Sequence, residues 1–309
     1  MTISAVSTLF LSTQSGADLQ RVQGELADLQ RQVGSQHKAD SLKGYAAATT
    51  RILSAQSLMA KTDARQAAAS NLLPRLDTID LSLGGAADAT ETLRQAVLSA
   101  VANDDGRTLK DALQTAFSSI RTALNTEFEG EALFSGERVD QPPVNIATLD
   151  DLAAAPTIAS IFSEAARPKT IDLGDGPRAV AEKASDVSSQ VFAAMQQLKQ
   201  LIDANGGTLP QPLTTAQKTA LTTMVSDLEG ARYTLVAAQG RNGDLSTATE
   251  TKAAALSNQS DALAKMVGDA ADADLAEVAT KITSLQVQYQ AIAQTFSSLS
   301  QLSLLDYLR

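Results

Sequence analysis

Residues 275–299 read LAEVATKITSLQVQYQAIAQTFSSL, and this stretch decides the fold. Its large apolar residues recur at alternating steps of three and four, the spacing that places side chains along one seam of a supercoiling helix. The seam consists of Leu275, Val278, Ile282, Leu285, Tyr289, Ile292, Phe296 and Leu299. Asp274, with Glu277 three residues further on, predicts a capping box at the helix start. We therefore expect a helix about 37 Å long that pairs with a partner along one face.

The other faces of this helix carry no charge, because residues 282–305 contain no Asp, Glu, Lys or Arg. A solvated coiled coil normally carries Glu and Lys beside its seam. Residues 1–17 also have no charged side chain, and a second seam follows them. It consists of Leu19, Val22, Leu26, Leu29 and Val33. We therefore expect the two terminal segments to pair with each other, and further copies of the chain to cover their uncharged faces.

The composition suits helices packed side by side. Aromatic residues make up 4% of the 309 residues and tryptophan is absent, so the core must be built from Leu, Val, Ile and Ala. The net charge of −10 disfavours nucleic acid as a partner, since phosphate neutralisation needs clustered Lys and Arg. No stretch is apolar for long enough to insert into a membrane. The absence of Cys excludes disulfides and thiolate chemistry.

Helical periodicity continues through the outgoing part of the chain, residues 42–139, until it fails at EFEGEALFSGE, residues 127–137. There we expect a turn leading into a strand. Pro74 is expected to kink or interrupt the outgoing helix, because proline removes a main-chain hydrogen bond. Five of the eight prolines then fall within residues 140–181. This segment predicts a small insert of mixed structure, with a β-hairpin around Asp175-Gly176.

Helix returns over residues 182–269, with Thr214 as the expected cap of a long helix that breaks at Gly268-Asp269. The terminal segments 1–41 and 270–309 complete the chain. The sequence thus predicts a mainly α fold: an elongated helical hairpin rod with paired terminal coiled-coil helices and a small mixed β insert at the middle of the chain.

Polar residues that could carry chemistry have simpler explanations. His37 is the only histidine and lies in a polar segment, which favours an exposed loop residue. The acidic cluster at residues 269–277 lacks the spacing of a calcium loop, and acidic residues are favoured at helix starts in any case. The sequence contains neither a phosphate-binding glycine loop nor a G-x-S-x-G motif. We therefore expect a structural protein with no catalytic residue, cofactor or metal.

Several strings resemble the bacterial flagellin family. LNTEFEGEALFSG at 124–136 resembles the end of the family's N-terminal rod, and RYTLVAAQGRNGD at 232–244 is similar to a region of its returning rod. DADLAE at 272–277 resembles the entry into the C-terminal helix. LSLLDYL at 302–308 is closer to the ending of the hook–filament junction proteins than to that of flagellins. The insert is unmatched, and Ser35–Asp40 departs from the family's usual Ser-Gly-Lys/Arg turn.

This resemblance implies a subunit that joins the flagellar hook to the filament by polymerising its terminal helices into a tube. It also implies export through the flagellar type III apparatus without a cleaved signal, an export chaperone, and an extracellular location at the hook–filament junction. The implied partners are further copies, hook-associated protein 1 and flagellin. Two alternatives stay open: a filament flagellin of the same family, and a soluble cytoplasmic coiled-coil adaptor or secretion chaperone.

Overall fold

The computed structural model describes residues 2–307, with side chains described for residue 10 and residues 13–45 and 48–298. Helices dominate this part of the chain, so the mainly α prediction is confirmed. The α-helices are α1 (Thr2–Ser35), α2 (Thr49–Asn103), α3 (Leu109–Leu124), α4 (Leu149–Ala154), α5 (Ala184–Ala204), α6 (Thr215–Ala271) and α7 (Leu275–Tyr307). Two 3₁₀ helices, Leu42–Ala48 and Ile158–Ile161, and two small hairpins complete it.

The chain divides into two compact units. The terminal unit comprises Met1–Thr62 with Asn258–Arg309, and the central unit comprises Asp63–Ser257. Helices α2 and α6 each contribute residues to both units. The sequence placed the boundaries of the terminal segments at residues 41 and 270 instead. A change in sequence pattern marks the end of a helix more readily than it marks a change of packing partner along one helix.

Pro74 does not interrupt α2, which is continuous from Thr49 to Asn103, so the predicted interruption is wrong. An interior proline costs a helix about 3 kcal/mol. Leu72, Leu76 and Ile79 flank it and are each at least 95% buried, and burying such a side chain is worth about 1.5–3 kcal/mol. Packing therefore outweighs the local penalty. The break predicted at Gly268-Asp269 is also misplaced, since α6 ends at Ala271.

The central unit has one contiguous hydrophobic core. The seam of α3 lies fully within it, as the helical periodicity predicted. The ring of Phe192 on α5 makes edge-to-face contacts with Phe117 at 6.3 Å and with Phe162 at 5.8 Å between centroids. Residues of the predicted insert, including Leu152 and Ile161, are buried in the same cluster. The insert is therefore part of the core of this unit.

Two antiparallel hairpins are present, one where the sequence predicted a turn leading into a strand and one inside the insert, where it predicted a β-hairpin. In the first, β1 (Glu127–Phe128) pairs with β2 (Glu131–Ala132) through a turn whose central residues, Glu129 and Gly130, both have positive φ. That geometry is typical of a type I′ turn. In the second, β3 (Thr170–Asp172) pairs with β4 (Pro177–Ala179). Pro177 is tolerated because it is the first residue of its strand.

Ion pairs fasten both hairpins to the long helices of the central unit. Glu131 binds Arg75 of α2 at 2.6 Å and also Lys169. These cations lower the pKa of the Glu131 carboxyl, Lys169 having the larger effect. In the second hairpin, Asp175 forms an ion pair with Lys252 of α6 at 2.9 Å.

Gly136 is the last residue of the ALFSG string, and the backbone of Arg167 passes close to it. Its φ is +68°, and a Cβ at this position would overlap the carbonyl oxygen of Arg167. That oxygen accepts a hydrogen bond from the Glu137 amide at 3.1 Å, while the Phe134 carbonyl accepts one from Ala184 at 2.8 Å. Only glycine combines this φ with the space that the Arg167 carbonyl leaves.

Thr214 caps α6 as predicted. Its hydroxyl accepts a hydrogen bond from the Gln217 amide at 3.3 Å, and the Gln217 side chain accepts one from the Thr214 amide at 2.8 Å. This reciprocal pair is a capping box.

Candidate assembly interface

The terminal helices α1 and α7 pack against each other in antiparallel orientation. At one end, the Lys38 amide donates to the Ala271 carbonyl at 2.8 Å and the Ala273 amide donates to the Gln36 carbonyl at 2.9 Å. Further along the two helices, the side-chain amide of Gln23 donates a hydrogen bond to the Tyr289 hydroxyl at 3.1 Å. The expected pairing of the two terminal segments is therefore present.

The predicted seam residues are buried to different depths in this pair. Val22 is fully buried and Val278 is 5% exposed. The half-buried members are Leu19, Leu26, Leu29, Ile282, Leu285, Tyr289, Ile292 and Phe296. Val33 and Leu275 are 45% and 44% exposed, because each lies at the end of its helix. The Leu299 side chain lies outside the described residues. A role for these residues in contacts between copies stays a prediction.

Asp274 caps α7, accepting hydrogen bonds from the amides of Ala276 at 3.0 Å and Glu277 at 3.1 Å. The Glu277 carboxylate binds Lys281 at 2.6 Å. This part of the acidic cluster therefore serves the start of the helix, as helix capping and the helix dipole lead one to expect.

The bend after α1 holds contacts that sequence reasoning missed. His37 is exposed as expected, yet its Nδ1 lies 3.0 Å from a carboxylate oxygen of Asp272. Nothing in the local sequence signals this contact, because the two residues are 235 positions apart. Arg31 forms an ion pair with Asp40 at 2.9 Å, which raises the pKa of the guanidinium.

Gln36 occupies the left-handed backbone region at this bend, with φ of +61°. A side chain in that region costs about 1–2 kcal/mol relative to the right-handed one. The bend therefore contains a residue that this backbone region disfavours. The backbone bonds to residues 271–273 hold it in place.

The outward face of α7 is uncharged over much of its length, whereas α1 carries the exposed charged residues Arg21, Glu25 and Asp28. From residue 282 to residue 298, every exposed side chain of α7 is Ala, Ser, Thr, Gln or Val. Val287 is 63% exposed on this face, and Phe10 of α1 is 70% exposed. Charged side chains are depleted in the buried centre of protein–protein interfaces, so a neutral face that includes the exposed Val287 is suited to contact with another protein surface. None of the helices in the described part of the chain could span a lipid bilayer.

The sequence matches no family model and no curated protein sequence. The structure, however, resembles solved structures. One is a candidate flagellar hook-associated protein of Vibrio parahaemolyticus, with a TM-score of 0.55 and 15% identity over 72% of this chain and 96% of that chain. Another is FlgL of Bacillus cereus, with a TM-score of 0.50 and 15% identity over 65% of this chain and 98% of that chain. The chain shares their fold. It contains a counterpart for nearly the whole of each of these two proteins.

Proposed function

We propose that this chain is a structural subunit of the bacterial flagellum, the hook-associated protein that joins hook to filament. The observation that carries the proposal is the antiparallel α1–α7 pair, whose exposed α7 face has no charge from residue 282 to residue 298. The fold likeness to flagellar hook-associated structures supports it independently.

The two units have different means of stabilisation. The central unit buries a large apolar core of its own. In the described part of the terminal pair, Val22 and Val278 are the only seam residues more than nine-tenths buried. Burying one such side chain is worth about 1.5–3 kcal/mol, whereas ordering each backbone residue costs about 1–2 kcal/mol. The pair therefore needs contacts with neighbouring copies to become stable.

In this proposal the terminal helices form the inner wall of a tubular assembly, and copies order each other's termini as they join. The subunit leaves the cell through the flagellar type III apparatus, escorted before export by a chaperone. Its neighbours in the assembled flagellum are its own copies, hook-associated protein 1 and flagellin. It has no catalytic role.

Counting copies in flagella tests this function. Flagella are sheared from cells, purified intact, and analysed by quantitative mass spectrometry against the filament subunit and the hook subunit. We expect the chain to be present at a small, fixed number of copies per flagellum. A strain carrying Leu285→Asp serves as the control, with the chain expressed and exported but missing from the flagellum.

Two outcomes would contradict the proposal in different ways. Abundance equal to that of the main filament protein would identify a filament flagellin. Complete retention in the cytoplasm would instead favour an adaptor or secretion chaperone.

A further inference from the structure

One exposed face of α2 in the central unit combines acidic and apolar side chains. Asp77, Leu81 and Asp88 follow each other by four and seven residues, which places them on one side of the helix. Both carboxylates are exposed and Leu81 is 76% exposed. We call this set the acidic face.

A shallow groove of about 610 Å³ between α2 and α3 lies beside Leu81. Its lining is uncharged and mostly small, with Thr78, Ser82 and Gly85 on α2 facing Ser118 and Thr122 on α3. Gly85 is exposed, and a Cβ added there would meet nothing within 4 Å. The groove can therefore accept an apolar side chain from another molecule.

The first turns of α2, in the terminal unit, carry a face of the opposite sign. Residues 41–62 contain three basic residues and no acidic one, although the whole chain has a net charge of −10. Arg51, Leu58 and Lys61 are spaced by seven and three residues, so they share one side of the helix. All three are exposed, Leu58 by 43%. We call this set the basic face.

None of these four charged side chains has an ion-pair or hydrogen-bond partner among the residues whose side chains are described. The two faces also match in length. At about 1.5 Å per residue, Arg51 and Lys61 are about 15 Å apart along the helix, and Asp77 and Asp88 about 16.5 Å. Leu58 falls at the level of Gly85 when the two helices run in the same direction.

We propose that the basic face of one copy docks on the acidic face of a second copy, with Arg51 on Asp77, Leu58 over Gly85 and Lys61 on Asp88. The contact joins two different surfaces, so it is heterologous and repeats into a ring or a helical polymer. The parallel direction rests on the proposed function, because copies in one polymer point the same way.

Charge exchange tests this contact. We expect Arg51→Glu with Lys61→Glu to weaken self-association on the order of tenfold, since like charges then face each other. Asp77→Lys with Asp88→Lys should do the same. A chain carrying all four changes should associate as the wild type does, because the charges are complementary again. Sedimentation over a concentration series measures association, and circular dichroism checks that each variant is folded.

Lys110→Glu with Asp227→Lys is the matched control, since both residues are exposed and make no ion pair in the described part of the chain. It should leave association unchanged. Two double variants test the direction of the contact. If Arg51→Glu with Asp77→Lys associates more strongly than Arg51→Glu alone, the parallel register is supported. If association recovers in Arg51→Glu with Asp88→Lys instead, the parallel register is overturned.

Failure of the fourfold variant to recover association would overturn the contact, and so would a wild-type chain that does not self-associate. The proposed function is judged separately by the count of copies in flagella. A chain present there at junction abundance, with no recovery in the fourfold variant, leaves the function standing and removes this contact alone.

Discussion

Val22 is the side chain on which the α1–α7 pair depends most, and Val22→Asp is the sharpest test of that pair. Val22 has no exposed surface, whereas most other seam residues are half-buried. Removing a fully buried valine side chain forfeits about 1.5–3 kcal/mol, a factor of roughly 10 to 150 in the pairing equilibrium. The aspartate adds the cost of desolvating a carboxylate with no cationic partner. We therefore expect the pair to open and assembly to fail.

The assay measures the polymer fraction by sedimentation and the thermal unfolding of the central unit by circular dichroism. Val22→Asp should remove the polymer while leaving the unfolding midpoint of the central unit unchanged, because the buried core of that unit lies elsewhere in the chain. Val236→Asp is the matched control: the same substitution, made in the central unit at a residue that is 41% exposed. It should assemble normally. Normal assembly of Val22→Asp would refute the reasoning.

Three further predictions concern other parts of the chain. Val287→Asp adds a charge to the neutral face of α7 without touching the seam, so we expect native helix content by circular dichroism and reduced assembly by sedimentation; unchanged assembly would show that this face stays in water. Gly136→Ala should lower the free energy of unfolding by about 2 kcal/mol or more, since the left-handed region alone costs a side chain about 1–2 kcal/mol, whereas Gly130→Asn, at a positive φ with open space around it, should change it little in urea titrations. Arg94 lowers the pKa of Glu91 to about 2 from an ordinary value of 4.5. As the pH drops from about 4.5 towards 2, the unfolded chain takes up a proton before the folded one does, so the free energy of unfolding should fall. Glu91→Gln should flatten this part of the profile of urea midpoint against pH, and an unchanged slope would count against the contribution of this ion pair.

Helix positions followed from the sequence where periodicity and capping agreed. The seam of α7, the apolar face of α3 and the Thr214 cap are local patterns, and each reappears in the structure. The β3–β4 hairpin followed as well, because turn chemistry is local. The segment around Asp175-Gly176 connects paired strands, as its composition indicated. At residues 127–132 the sequence predicted a turn into a strand, and the structure adds a second strand that pairs with the first.

The features that sequence reasoning missed depend on distant parts of the chain. Pro74 is a local signal for a break, yet the burial of its neighbours overrides it. The proline-rich segment 140–181 suggested a separate insert, but a proline count does not reveal that Leu152 and Ile161 complete a core shared with the helices. The contact between His37 and Asp272 joins residues that only the folded chain brings together.

The central claim is that the terminal helices become stable through contact with other copies, whereas the central unit is stable alone. Amide hydrogen exchange of residues 13–35 and 275–298, compared between dilute monomer and assembled polymer, tests it most directly. We expect fast exchange of both segments in the monomer beside a protected central unit, and strong protection of both in the polymer. Terminal helices as protected in the dilute monomer as the central unit, with no change on assembly, would contradict the claim.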